Sequence, residues 1–247
     1  MLSGVDVAVH EGEIVGVAGV SGNGKAELAE CVFGFRPLEA GEIAINGKDL
    51  TGKSPRAFID AGVSFVPEDR YAHGCAPDLS VMRNAGSKIY RNGIFDSNRF
   101  MLSYDKMADY AETLVEEFDI RGVQNVKTTA AHDLSGGNLQ KLILAREMSA
   151  DPDLLVANQP TRGVDVGAIE NIRRLMLDQR EQGTGVLLLS EDLDEILDVS
   201  DRVLVIYEGE IVFETTPEET NKWEVGVYMS TGRAPETERT TVTEEAE

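Results

Sequence analysis

Residues 19–26, Gly-Val-Ser-Gly-Asn-Gly-Lys-Ala, place Gly19, Gly22 and Gly24 ahead of Lys25. Glycines at this spacing, between an apolar run and a helix, let backbone N–H groups converge on an anion. The lysine adds charge for the outer phosphates of a nucleotide. The pattern asks for a hydroxyl at the next position, to reach Mg²⁺, and the chain has Ala26 there. Val20, Ser21 and Asn23 fill the loop between the glycines. A second group is Leu134-Ser135-Gly136-Gly137-Asn138. A serine cap followed by two glycines opens a helix whose N–H groups and positive dipole end are unobstructed. Glycine-rich strand–helix turns also arise from packing alone, and Ser-Gly-Gly is an ordinary helix start. Neither group is therefore decisive without its surroundings.

The surroundings supply a scaffold. Residues 5–9 alternate in hydropathy and are expected as a strand. Residues 11–13 make a turn, and residues 14–19 form a short apolar strand running into the glycine loop. A helix follows, with Leu28, Cys31 and Val32 on one face and Gly34 as its stop. Asn46-Gly47 marks a hairpin turn, and residues 62–67 read as a strand ending at Pro67. Residues 78–122 have a different character. Met107, Ala111, Leu114, Val115 and Phe118 fall at helical spacing, after a polar connection around residues 91–99. The second glycine group then opens a helix with Leu139, Leu142, Ile143 and Met148 on its apolar face, closed by Asp151-Pro152. Next come a buried strand at 153–159 and a helix through Ile169, Ile172, Leu175 and Met176 to Gly183. A strand at 185–190 and a hairpin at 202–214 follow. Strands alternating with helices on both sides of a helical insert predict an α/β fold with a mainly parallel sheet and antiparallel hairpins near the N-terminus. Residues 233–247 are polar and acidic and are expected to be a disordered tail.

Composition narrows the partners. The chain has 247 residues, with 44 Asp plus Glu against 23 Lys plus Arg, a formal net charge of −21. Such a surface repels nucleic acid and anionic lipid, and it suits a high-salt medium. No apolar run approaches the ~18 residues of a membrane span, and the first residues show no basic-then-apolar leader. A cytoplasmic location is expected. Cys31 and Cys75 lack C-x-x-C spacing and read as isolated thiols. His10, His73 and His132 lack metal-ligand spacing, and Tyr71 and Phe65 read as core or rim residues.

In their order, the glycine loop, Leu134–Asn138 with the following Leu139-Gln140-Lys141, and the strand leading into residues 159–167 (Gln-Pro-Thr-Arg-Gly-Val-Asp-Val-Gly) resemble the ATP-binding cassette of ABC transporters. The resemblance covers residues 5–232. Pro160 to Glu170, together with Pro67-Glu68-Asp69-Arg70, is most similar to the second cassette of tandem ATPases in importers of simple sugars and nucleosides, the nucleoside branch being nearer. It implies a P-loop NTPase fold, with a RecA-like core, an antiparallel β lobe and a helical subdomain at about residues 78–148. One domain would span 1–232, with the tail at 233–247.

The resemblance also assigns roles. Residues 19–26 would be the P-loop. Ser135, Gly136, Gly137 and Asn138 would be the signature, offered across a dimer to the partner's ATP, and Asp165 would be the D-loop aspartate. Asn158 stands where an aspartate supports Mg²⁺, Gln159 where a glutamate activates water, Glu191 where a switch histidine lies, and Glu68 at the Q-loop glutamine. Ala26, Asn158, Gln159 and Glu191 cluster around one Mg²⁺ and one γ-phosphate, whereas the signature is intact. The expectation is a worn ATP and Mg²⁺ site, slow or silent in hydrolysis, in a chain that completes the site of a second cassette. Arg162 and Glu170 read as packing or surface residues. Residues 1–10 lack the aromatic that stacks on adenine in the family, so the chain is expected to begin inside the first strand pair of its cassette. The implied assembly holds a second cassette, membrane permease subunits and, indirectly, a substrate-binding protein, at the inner face of the membrane. An autonomous transport ATPase and a non-transport nucleotide-sensing protein remain alternatives.

Overall fold

The computed structural model describes residues 2–98 and 101–235. Five strands of a six-stranded sheet run parallel: β1 (Ile14–Ala18), β4 (Val63–Val66), β7 (Leu154–Asn158), β8 (Gly185–Ser190) and β9 (Arg202–Tyr207). An antiparallel edge strand, β10 (Glu210–Thr215), completes it, and the order is β10-β9-β1-β8-β7-β4. The parallel strands are apolar nearly throughout, as strands covered on both faces must be. Alternation then sorts their side chains. Ile14, Val186, Leu188, Val203 and Val205 enter one core, while Val15, Val17, Leu187, Leu189, Leu204 and Ile206 enter the other.

Helices cover both faces. The second core takes Leu28 and Ala29 from α1 (Lys25–Val32) and Phe58 from α2 (Pro55–Asp60). The short hairpin of β2 (Ala44–Ile45) and β3 (Lys48–Asp49) turns at Asn46-Gly47 as read from the sequence. The first core takes α5 (Gly136–Met148), α6 (Val166–Glu181), α7 (Leu193–Val199) and α8 (Lys222–Thr231), and continues into α3 (Val81–Gly86) and α4 (Tyr104–Glu117). Among the described residues, no helix is long and apolar enough to cross a membrane.

Edge strand β4 is tied to α5 by a buried carboxylate. Glu147 accepts from Phe65 N at 3.1 Å, Lys88 Nζ at 2.8 Å and Arg146 Nε at 2.8 Å. Burial alone would raise the Glu147 pKa, but Arg146, Lys88 and the Phe65 amide hold it below the usual carboxylate range. The free N–H of an edge strand is thereby satisfied internally.

Two expectations change. Residues 5–9 half-bury Val5, Val7 and Val9 in alternation, yet form no ladder. Within the segment Ala8 O accepts from the Arg202 side chain, and just before it Ser3 N donates to Gly209 O at 2.9 Å. The polar connection at 91–99 contains a strand, β5 (Asp96–Asn98), paired antiparallel with β6 (Met101–Leu102). The tail lies outside the described residues from 236 onward. Helices α2, α7 and α8 were not read from the sequence.

Candidate functional site

Parallel strands in the order β1-β8-β7-β4 bring their C-terminal ends to one edge of the sheet. Ala18 pairs in register with Ser190, and Asn158 with Leu189. The chain leaves these ends as residues 19–26 from β1, Gln159 from β7, Glu191 from β8 and Glu68 just beyond β4. Ligands of open α/β sheets bind at this edge. The fold therefore brings the sequence-assigned positions 19–26, Asn158, Gln159, Glu191 and Glu68 to one edge of the molecule.

The loop has the geometry of an anion cradle. Gly24 has φ of 110°, and a Cβ there would meet Leu2, Ile206 and Gly209 at 2.9–3.2 Å, so no other residue fits. Val20, Ser21 and Gly22 are exposed, and a Cβ on Gly22 would meet nothing within 4 Å, leaving open space over the loop. Asn23 is anchored from below, its carbonyl accepting from Gly209 N at 3.0 Å. Lys25 begins α1 and is 5% exposed. Its Nζ donates to Gly19 O and, at 3.0 Å, to Val20 O, and lies 3.6 Å from Glu191 Oε1. Burial pulls the lysine pKa below its ordinary value, and Glu191 partly offsets this.

The residues fit a polyphosphate but offer little to a divalent cation. Ala26 has no side-chain oxygen. Asn158, 5% exposed, presents a neutral Oδ1 that is buried and has no hydrogen-bond partner. Among the described residues, no cluster of three or more His, Cys, Asp or Glu could hold a metal. Gln159 is buried with φ of 55°, its N–H donating to Leu189 O at 2.8 Å and its Oε1 accepting from Glu191 N at 3.4 Å.

Among the described residues, Leu134–Asn138 shares no hydrogen bond with this loop. Ser135 caps α5, accepting from Asn138 N at 3.4 Å and Nδ2 at 2.8 Å, while Asn138 Oδ1 accepts from Arg121 N at 2.7 Å. Asp165 caps α6 by accepting from Ala168 N at 3.0 Å, and its Oδ2 would lie 3.2 Å from a Cβ on Gly137. The signature-like and D-loop-like segments are thus neighbours, and Ser135 and Asp165 are exposed.

Two residues here escaped the sequence reading. Arg70, in a π-helical turn at Arg70–Gly74, donates from Nη1 to Gly136 O at 2.7 Å and from Nη2 to Arg162 O. Arg162, exposed as read, also pairs with Glu68. Glu195 is fully buried, with Oε2 accepting from Ser190 Oγ at 2.6 Å and Oε1 unpartnered. Burial raises its pKa, against the lowering effect of the Ser190 hydroxyl. Arg70 carried a signal only in its place after Glu68. Glu195 looked like one of many acidic surface residues.

A strand–glycine loop–helix unit at the C-terminal edge of a mostly parallel sheet, with helices on both faces, defines a P-loop α/β domain of the NTPase class. The particular family follows from comparison: residues 2–162 match the ABC transporter family, and the chain belongs to it. Over 231 residues it is 63% identical to a glucose import ATP-binding protein of Haloferax volcanii, covering 94% of this chain and 42% of that protein. It is 43% identical over 235 residues to a nucleoside import ATP-binding protein of Lactococcus lactis subsp. cremoris, covering 95% and 46%. The chain spans less than half the length of these relatives. The fold is similar to a dimeric ATP-binding cassette in a post-hydrolysis state bound to ADP and Pi, with a TM-score of 0.74 at 21% identity, covering 87% and 90% of the two chains. It is also similar to an ABC transporter cassette in its ADP conformation, at 0.70 and 21%, covering 93% and 89%.

Proposed function

We propose that this chain is a nucleotide-binding component of an ABC importer for simple sugars or nucleosides. In this reading it acts as the degenerate second cassette of a pair, one domain over residues 1–232 with its helical subdomain at about 78–148. The observation that carries this is an asymmetry. Ala26, Asn158, Gln159 and Glu191 depart from what hydrolysis needs; Asn158, Gln159 and Glu191 sit at the ends of adjacent strands β7 and β8, and Ala26 in the first turn of α1, after the loop that leaves β1. Ser135, Gly136, Gly137 and Asn138 keep a serine-capped, two-glycine helix N-terminus that is exposed at Ser135.

Each departure removes a defined contribution. Gln159 keeps the shape of a glutamate but takes no proton, and losing a general base costs about 10²–10⁴ in rate. Ala26 and Asn158 supply no charge to hold Mg²⁺. Lys25 and the loop amides still neutralise phosphate. The chain's own site therefore binds nucleotide and turns it over slowly or not at all. Its catalytic contribution is the N-terminus of α5. Free N–H groups there, oriented by the Ser135–Asn138 bonds, stabilise charge on the γ-phosphate held by the partner cassette. Residues 68–74 and the helical insert face the permease, which receives cargo from a substrate-binding protein. The chain works as a peripheral subunit on the inner membrane face.

The test is ATP turnover with Mg²⁺, measured for the chain alone and together with a cassette that carries intact Walker residues. The chain alone gives binding with turnover near background, and the pair gives robust turnover. Brisk turnover by the chain alone supports the autonomous ATPase instead. Binding without turnover even in the pair supports a nucleotide sensor.

A further inference from the structure

Lys25 is already engaged by anionic and carbonyl oxygens. Its ammonium donates to Gly19 O and Val20 O and faces the Glu191 carboxylate at 3.6 Å. Glu191 is held in place from both sides. Its N–H reaches Gln159 Oε1 at 3.4 Å. The next residue, Asp192, is fixed by donating its N–H to Ser190 Oγ at 3.0 Å and by capping α7 through Asp194 N at 2.9 Å. The backbone that carries the carboxylate is therefore fixed at the end of β8, and the carboxylate faces Lys25 beside the loop that leaves β1.

We infer that the loop at residues 19–26 selects a nucleoside diphosphate over the triphosphate, and that Glu191 sets this preference. The inference rests on the proposal that this loop is a nucleotide site. In a P-loop the backbone amides cradle the inner phosphates, while the lysine reaches towards the outer ones. A diphosphate fills the amide cradle and leaves the Lys25–Glu191 pair intact. A third phosphate enters the space that Lys25 faces and meets a carboxylate there. Like charges in contact are unfavourable, and two groups that would offset the added charge are missing. Ala26 gives no oxygen to a cation, and the unpartnered Asn158 Oδ1 is neutral. Glu191 thus occupies with its own negative charge the position where a triphosphate would place its terminal group.

The experiment is calorimetric titration of the chain with ADP and with ATP, in chelator and again with Mg²⁺, for the wild type, Glu191→Gln and Lys25→Ala. Glu191 is exposed and Gln is isosteric, so the fold survives, as thermal melting verifies. The wild type binds ADP about tenfold more tightly than ATP, as a single half-exposed like charge would produce. Glu191→Gln raises ATP affinity about tenfold and leaves ADP within about twofold, and Lys25→Ala, which leaves Glu191 without its counter-ion, weakens ATP more than ADP. Equal wild-type affinities, or a Glu191→Gln effect that is the same for both nucleotides, overturn the selectivity while leaving the nucleotide site standing. No binding of either nucleotide overturns the site itself and the selectivity with it.

Discussion

At the end of β7, Gln159 holds φ of 55°, a left-handed backbone that costs of order 1 kcal/mol for a residue with a Cβ. The structure retains this conformation by bonds from Gln159 N to Leu189 O and from Arg162 N to Gln159 O. The backbone at this position is therefore held by bonds that do not depend on its side chain. Gln159→Glu restores a base to that backbone without the metal ligands at 26 and 158. Its single-turnover rate in the isolated chain is expected to rise less than tenfold, well short of a full general-base effect. A larger gain would mean that the base alone was limiting. Glu195 gives a pH signature. Its folded pKa lies above the usual carboxylate value, so folding favours the protonated form. The resulting stability is complete below the ordinary carboxylate range and is lost as pH rises through the raised folded pKa. Glu195→Gln, which stays neutral, should flatten that decline in melting temperature. An unchanged decline would remove Glu195 as its source.

Among the elements, the turn after β4 matters through Arg70. One guanidinium bonds Gly136 O at the start of α5 and Arg162 O before α6, so the segment carrying Glu68 is clamped to both neighbouring loops. Removing two such bonds is worth about 1–3 kcal/mol. Arg70→Ala is expected to speed amide exchange in the first turn of α5 and at residues 163–165, with Arg70→Lys intermediate. Unchanged exchange would show that the loops hold their positions unaided. The same turn shows where sequence reading stops. Strands β1, β7 and β8 and helices α5 and α6 were legible because unbroken apolar runs and 3.6-residue spacing mark them directly. Helices α2 and α7 are six and seven residues long, too short for periodicity to emerge, and α8 presents Trp223 to solvent. Residues 5–9 show the converse. Alternating burial is a property of side chains, and a ladder also needs a partner strand. At the site, residue types at 26, 158, 159 and 191 were visible in sequence. The Lys25–Glu191 pair, the Arg70 clamp and the buried Glu195 depend on contacts between distant segments, which spacing does not encode.

As a whole, the molecule carries 44 acidic against 23 basic residues. Self-repulsion on this scale weakens the compact state, and salt screens it within a Debye length of about 3 Å at 1 M. Melting temperature should rise markedly as KCl increases from about 0.1 to 2 M, and a flat response would show that the existing ion pairs already neutralise the field. The central claim also belongs to this scale, because it concerns what one chain does for another. The most direct test is steady-state ATPase of the chain paired with a competent cassette, comparing wild type with Gly136→Asp. A Cβ at Gly136 meets the flexible end of the Arg70 side chain at 3.0 Å and the Gly163 carbonyl at an ordinary 3.5 Å, so the fold tolerates the change while a carboxylate is added beside the α5 N-terminus. The account predicts that turnover by the pair falls at least about a hundredfold, the scale of losing oxyanion-type stabilisation, with the variant still folded and paired. Turnover equal to wild type would contradict it.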